Sequence, residues 1–153
     1  MKMKKSIFTL TFLGFIFAGC SSKPLTITSV DYISEVEKKL KTVYFDFDKS
    51  FIRDDQWGTV ISNSNVLNKG RIQAHNFVIE GHCDEWGSDE YNYALGLKRA
   101  KATKDTMVQE GFVSSERIHL VSKGESEPVC QNHTKECDAL NRRSEIVIYP
   151  LNK

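Results

Sequence analysis

The stretch GHCDEWGSDEYNYALGLKRA, residues 81–100, decides how this chain folds. It begins at the end of an apolar run over residues 76–83, whose composition is typical of a strand. From Asp89 onward acidic residues come first, basic residues follow, and Gly111 stands where the pattern stops. This order predicts a helix over residues 89–110. The quoted stretch is therefore predicted to join a strand to a helix through a short polar loop.

Three polar side chains of this unit could form one binding site. Asp84 lies in the loop just after the strand, and Asn92 and Arg99 lie on the helix. Their spacing puts Asn92 and Arg99 within about 20° of the same helix face and roughly 10 Å apart along the axis. A carboxylate can hold an ammonium group, and a guanidinium matches a carboxylate. The pattern suits a ligand that carries both charges, although the same residues could cap backbone amides, stay solvated or pair with each other.

The segments on either side of this unit predict one α/β domain. The alternation at residues 43–48 predicts a half-buried strand with Val43, Phe45 and Phe47 on one face. Further segments show a helix or strand pattern: a helix over residues 51–69, and strands over residues 117–122 and 145–149. The resulting order is β-α-β-α-β-(α)-β, a sandwich of one sheet covered by helices. The domain is predicted to span residues 41–153.

Residues 1–19 have the features of an export signal. Three lysines stand among the first five residues, and a short apolar run follows. The uncharged segment over residues 6–22 is shorter than the roughly 20 residues that cross a bilayer comfortably. The signal ends in Phe17-Ala18-Gly19-Cys20, which resembles a bacterial lipobox except that Phe17 stands where Leu is usual. We expect Cys20 to be lipidated, with an uncleaved N-terminal anchor as the alternative, and residues 20–40 to form a tether containing a short helix.

Composition excludes some classes of protein. The chain has 153 residues, of which 40% are apolar, and this is enough to bury the core of one domain. Removing the three lysines of the signal from the 21 basic residues leaves 18, against 20 acidic ones. Because the remaining chain is slightly acidic, we expect no nucleic-acid partner.

Several motifs of residues 41–149 occur together in one known family. They are Gly81-His82-x-Asp84, Gly87, Tyr91-Asn92, Leu95-Gly96, Arg99-Ala100 and Asn141-Arg142-Arg143. In order and spacing they resemble the OmpA-like peptidoglycan-binding domain. The resemblance implies one mixed four-stranded sheet and non-covalent binding of peptidoglycan, with no cofactor and no catalytic residues.

The resemblance also implies which residues bind the ligand. In this family the Asp of the first motif and the Arg of the Arg-Ala motif hold the diaminopimelate of the stem peptide. These two residues correspond to Asp84 and Arg99 in this sequence. The resemblance also adds Asn92, Leu95 and Asp48 to the predicted site. The arginine pair at residues 142–143 matches the family too, but the sequence leaves open which of the two reaches the ligand.

Two departures from the family border this predicted site. Cys83 stands where Thr or Ala is usual, and Trp86 stands where a smaller or basic residue is common. Both residues could alter the shape of the pocket.

The lipobox and residues 43–48 together resemble the peptidoglycan-associated lipoproteins within that family. This resemblance implies a lipid anchor in the outer membrane, with the domain facing the periplasm, and Ser21 after Cys20 agrees with that location. It also implies TolB and other Tol proteins as partners and a role in cell division. An OmpA-like cell-wall anchor outside the Tol-Pal system is an alternative.

The cysteines predict a disulfide rather than a metal site. An exported chain meets an oxidising compartment, so we expect Cys130 to pair with Cys137 and Cys83 to stay a thiol. A calcium loop starting at Asp46 is rejected because Phe51 and Trp57 occupy its glycine and glutamate positions.

A periplasmic peptidoglycan-processing enzyme is the remaining alternative. Such a hydrolase needs two facing carboxylates, an activated cysteine or a zinc site. Asp84 and Glu85 are adjacent, and Cys83 has no evident base. The sequence therefore favours a binding module.

Overall fold

The computed structural model describes residues 28–148 as one α/β domain with a mixed sheet. The strands lie in the order β1-β4-β2-β3, and only β2 and β3 are parallel. The predicted fold is therefore confirmed. The elements are α1 Ser29–Glu37, β1 Val43–Tyr44, α2 Asp54–Leu67, β2 Phe77–His82, α3 Asp89–Gln109, β3 Ile118–Gly124, α4 Lys135–Asn141 and β4 Arg143–Ile148, with 3₁₀ turns at Gly70–Ala74 and Ser115–Arg117.

Two glycines let α3 pack closely against β2. A Cβ placed on Gly81 would lie 1.8 Å from the carbonyl oxygen of Gly96. A Cβ on Gly96 would in turn lie 2.4 Å from the Ser122 hydroxyl oxygen. Neither position can carry a side chain, so the two glycines of the family motifs set the distance between helix and sheet. This close approach places the N-terminal half of α3 beside the loop that follows β2.

The core lies between the helices and one face of the sheet. Phe77 and Ile79 of β2 pack there with side chains of α2 and α3, such as Leu67 and Met107, and all four are buried. Successive strand residues point to opposite faces, which explains why every second residue of β2 joins this cluster.

Phe47 does not follow the predicted alternation. Val43 and Phe45 are buried, but the Phe47 side chain is 59% exposed. The strand ends at Tyr44, and the chain then turns so that the Lys49 amide donates to the Asp46 carbonyl, 3.2 Å away. Asp48 within this turn has φ +55°, a conformation that Asp tolerates better than most residues. Because of this turn, the Phe47 side chain lies outside the core and faces solvent.

The helix expected in the tether belongs to the domain instead. Ile33 and Val36 of α1 are buried in the core, and the Ile72 amide donates to the Tyr32 hydroxyl, 3.2 Å away. An apolar helix face must be covered, and the buried side chains of this one belong to the same core cluster as those of the sheet, α2 and α3. α1 therefore packs with the domain, although residues 20–40 are predicted to form a tether. The signal, Cys20 and the first part of the tether lie outside the described residues.

Within residues 28–148, none of the helices combines the length and apolar character needed to cross a membrane.

Candidate functional site

A cleft of about 260 Å³ opens where β2 meets α3, and we call it the Asp84 cleft. Aromatic and acidic side chains from three segments surround it. Its lining residues are Phe47, Asp48, Asp84, Trp86, Gly87, Tyr91 and Leu95.

Local backbone features hold this cleft open. β2 ends at His82, and a six-residue loop leads to α3. Gly87 in that loop has φ +127°, where a side chain would be strained. A Cβ at this position would also lie 3.2 Å from the side-chain Oδ1 of Asn92. Ser88 then caps α3, because its hydroxyl accepts a hydrogen bond from the Tyr91 amide, 3.3 Å away. The loop thus forms one wall of the cleft, with Asp84, Trp86 and Gly87 among the lining residues.

Arg99 lies behind the cleft, fully buried on the inner face of α3. Its guanidinium donates to the carbonyl of His82 at 2.8 Å, of Lys49 at 2.9 Å and of Asp46 at 3.2 Å. It therefore joins the end of β2 to both ends of the turn that carries Asp48. Arg99 has a structural role that helix-face reasoning did not foresee.

The charge of Arg99 is not neutralised by a direct ion pair. In the described part of the chain, no carboxylate lies within 4.0 Å of its guanidinium nitrogens. Burial accordingly lowers the pKa of Arg99, and the nearby carboxylate of Asp84 compensates this only in part. Three of the five N–H donors are used by carbonyls, so two remain. A buried cation with spare donors favours an anionic ligand group, because uncompensated buried charge is costly.

Asp84 has a different partner from the one considered in the sequence. Its Oδ2 accepts a hydrogen bond from Arg142 Nη1 at 2.9 Å, and its side chain is 4% exposed. Arg142 also donates to the carbonyl of Phe45, 3.2 Å away. Of the arginine pair, Arg142 is thus the one beside the cleft.

Arg143 points to the other face of the sheet. The next residue, Ser144, shares a hydrogen bond with Thr103 of α3, and neighbouring strand residues face opposite ways. Arg143 Nε donates to Glu145 at 2.5 Å, and its Nη2 donates to the Glu127 carbonyl at 3.2 Å. Arg143 therefore takes a structural place in β4.

Asn92 is buried and supports the loop rather than lining the cleft. Its Nδ2 donates to the Asp84 carbonyl at 3.3 Å and also to the Glu125 carboxylate, while its Oδ1 has no partner among the described residues. Asp48, by contrast, is exposed at the mouth of the cleft and accepts a hydrogen bond from the Tyr91 hydroxyl. This contact raises the pKa of Tyr91, since the phenol donates to a carboxylate.

The structure brings the five predicted residues into one region, but only some of them line the cleft. Asp48, Asp84 and Leu95 line the cleft, whereas Asn92 and Arg99 stand behind it. Sequence reasoning did not assign Phe47 or Tyr91 to the site, and it left open whether Arg142 or Arg143 reaches the ligand. Tyr91 is part of a quoted motif and Arg142 of an open pair, but only contacts between distant segments reveal their roles.

The cysteines lie beside this region. Cys130 and Cys137 form a disulfide with their Cα atoms 5.3 Å apart, and Cys83 is a buried thiol. Burial raises the pKa of Cys83 to about 11, so the thiol is protonated at neutral pH. Across residues 28–148, no group of three or more His, Cys, Asp or Glu side chains could hold a metal ion.

A model of the OmpA family matches residues 44–142, which include every residue of the Asp84 cleft and Arg99. The chain belongs to the OmpA family. This OmpA-family chain is 40% identical over 102 residues to the peptidoglycan-associated lipoprotein of Mesorhizobium japonicum, covering 67% of the chain and 59% of the relative. It is 33% identical over 130 residues to outer membrane porin F of Pseudomonas aeruginosa, covering 82% of the chain and 37% of the porin. The OmpA-family chain therefore spans less than two thirds of each of these relatives.

Solved structures share the fold of this OmpA-family domain. The crystal structure of the peptidoglycan-associated lipoprotein from Burkholderia pseudomallei superposes with a TM-score of 0.66 at 32% identity, covering 71% of this chain and 90% of that one. The C-terminal domain of Helicobacter pylori MotB superposes with a TM-score of 0.65 at 19% identity, covering 72% and 84%, and shows a shared fold.

Proposed function

We propose that this protein binds peptidoglycan non-covalently, by holding the diaminopimelate of the stem peptide in the Asp84 cleft. The observation that carries the proposal is the buried guanidinium of Arg99, which has no carboxylate partner within the described domain and retains two N–H donors. The names of the relatives at 40% and 32% identity support the same ligand class. Diaminopimelate has a free amine and a free carboxylate at one end, which match a site with both charges.

In this proposal each charge of the ligand meets its opposite. Arg99 gives its spare N–H donors to the ligand carboxylate, and Asp84 accepts from the ligand ammonium. Arg142 already contacts Asp84 in the free protein, so the ammonium joins an existing pair instead of meeting a bare buried carboxylate. Leu95 and Tyr91 bound the methylene part of the ligand. Neither ligand charge is then desolvated without a partner.

We further propose that the protein anchors the outer membrane to the cell wall through a lipid on Cys20. Because α1 packs in the domain core, residues 21–28 separate Cys20 from this helix, a reach of at most about 29 Å. Such a short connection suits a ligand layer directly beneath the membrane. Participation in the Tol-Pal system, with TolB as partner, is part of this proposal and rests on resemblance to the lipoproteins.

A pull-down of the mature chain, residues 20–153, on purified sacculi tests the proposal. We expect the protein to sediment with sacculi and free diaminopimelate to release it. Sedimentation that diaminopimelate does not affect would contradict the proposed site. Zymography on cell-wall material separates binding from hydrolysis, because a peptidoglycan-processing enzyme clears the gel and a binding protein does not.

A further inference from the structure

A second cleft of about 400 Å³ adjoins the Asp84 cleft, and we call it the Trp86 cleft. It is lined by Phe47, Trp86, Lys135, Asp138 and Arg142. Phe47 and Trp86 line both clefts, so the two clefts share these aromatic walls. Arg142 also belongs to both regions, because it lines the second cleft and contacts Asp84. A ligand held in the Asp84 cleft can therefore reach the Trp86 cleft as well.

The two aromatic walls are exposed and at least one is held in place. Phe47 is 59% exposed and Trp86 is 60% exposed. Adjacent exposed aromatic side chains on a soluble domain usually mark an interaction site. The indole N–H of Trp86 donates to Asp138 Oδ2 at 2.9 Å, which ties the ring to α4. A ring that is already oriented loses little conformational entropy when a ligand packs on it.

We propose that the Trp86 cleft binds a hexosamine ring of the glycan strand, next to the stem peptide in the Asp84 cleft. This inference rests on the proposed function. A pyranose ring has apolar C–H faces and a polar edge of hydroxyl and acetamido groups. The aromatic walls match the faces, and Lys135 and Asp138 supply a donor and an acceptor at the rim for the edge. An apolar side chain of a partner protein would match the walls but not this two-signed rim.

The covalent connection of the ligand agrees with the arrangement of the clefts. In peptidoglycan the stem peptide is attached to an amino sugar, and two residues separate that sugar from diaminopimelate. Two extended residues and the linking group span about 10 Å. Because the clefts share their aromatic walls, a sugar joined to a stem peptide in the first cleft can reach the second.

Calorimetry with two matched ligands tests this inference. The first ligand is the tripeptide L-Ala–γ-D-Glu–diaminopimelate, and the second is the same tripeptide carrying N-acetylmuramic acid at its N-terminus. The readout is the ratio of the two Kd values in each variant of the mature chain. For the unaltered protein we expect the sugar to tighten binding about tenfold, the change that one good aromatic contact brings.

Variants then locate the contribution of the sugar. Trp86→Ala should reduce the ratio to about one, whatever it does to the bare tripeptide, and Trp86→Phe should keep part of it because a ring remains. Lys135→Ala should lower the ratio as well. Phe112→Ala is the matched control, because Phe112 is an 84% exposed aromatic beyond the far end of α3, about 30 Å from its start. Its ratio should equal that of the unaltered protein, and circular dichroism should show all variants folded.

The outcomes separate this inference from the proposed function. A bare tripeptide that binds with no gain from the sugar, or a gain that survives Trp86→Ala, overturns the sugar subsite alone. Failure of both ligands to bind the unaltered protein overturns the proposed function and this inference with it.

Discussion

Buried Asp84 and half-buried Arg142 form an ion pair at 2.9 Å, although 58 residues separate them in the chain. The pair joins the loop after β2 to the residue that precedes β4. It leaves Arg99, which is fully buried in the same region, bonded to backbone carbonyls alone. The site thus has a carboxylate with a partner and a guanidinium without one, which is the basis of the predictions for ligand binding.

Replacement of Asp84 by Asn should weaken binding of the diaminopimelate tripeptide by roughly ten- to a hundredfold. The change keeps the shape of the side chain but removes the charge that accepts the ammonium, and a charge-assisted hydrogen bond contributes about 1.5–3 kcal/mol. Calorimetry measures the effect. Glu85→Gln is the control, since Glu85 bonds His133 at the surface and does not line the Asp84 cleft. Equal losses in both variants would show a general effect of charge.

Replacement of Arg99 by Ala should abolish most tripeptide binding and also destabilise the fold. Three hydrogen bonds from the charged guanidinium to carbonyls are lost, each contributing about 1.5–3 kcal/mol. Arg117 is a matched control, because it also donates to three carbonyls, of His75, Leu67 and Ile72, away from the cleft. Arg117→Ala should lower the free energy of unfolding by a similar amount and leave tripeptide affinity unchanged.

A third variant separates the charge of Arg99 from its shape. Arg99→Lys keeps the positive charge but cannot bond three carbonyls and a ligand carboxylate together, so its affinity should fall partway. Full affinity in the folded Arg99→Lys or Arg99→Ala variant would rule out the proposed contact with the ligand.

Replacement of Gly96 by Ala should lower the free energy of unfolding by at least about 1–3 kcal/mol, the usual cost of overpacking. The new methyl group would meet the Ser122 hydroxyl and the Gly81 carbonyl at 2.4 and 2.7 Å. Gly58→Ala is the control within α2, because nothing lies within 4 Å of its added Cβ. That variant should gain about 0.5–1 kcal/mol from helix propensity. Urea unfolding of the two proteins gives both values.

Stability should fall between pH 6.5 and pH 4 because of His82. Burial first, and the charge of Arg143 second, lower the pKa of His82 to about 4. The unfolded chain, with its ordinary pKa near 6.5, therefore takes up a proton before the folded one does. The contribution of His82 is complete above pH 6.5 and is lost as pH falls toward 4, by at most about 3 kcal/mol.

Urea unfolding at several pH values measures this slope. His82→Gln should remove it, whereas His119→Gln, at an exposed position of β3, should leave it unchanged. A slope that persists in His82→Gln would assign the pH dependence to other groups.

Local sequence patterns were sufficient for the secondary structure around the site. The run over β2, the acidic start of α3 and the glycine after it predict elements within a few residues of those observed. The motif glycines at 81 and 96 also mark the contact between β2 and α3, because only glycine allows such a close approach. These features depend on neighbouring residues, on the spacing of apolar residues along an element, or on the small size of glycine.

By itself the sequence determined the order of the elements, the family and the region in which the site lies. Only the tertiary structure decided that Arg142 holds Asp84, that Arg99 binds the carbonyls of the turn at residues 46–49, and that Phe47 leaves the core to join Trp86. It also decided that α1 packs on the domain. Periodicity and capping are set by neighbouring residues, whereas these contacts join segments about 40 to 60 residues or more apart. No local pattern states which of several arginines, or which exposed aromatic side chains, will meet when the chain folds.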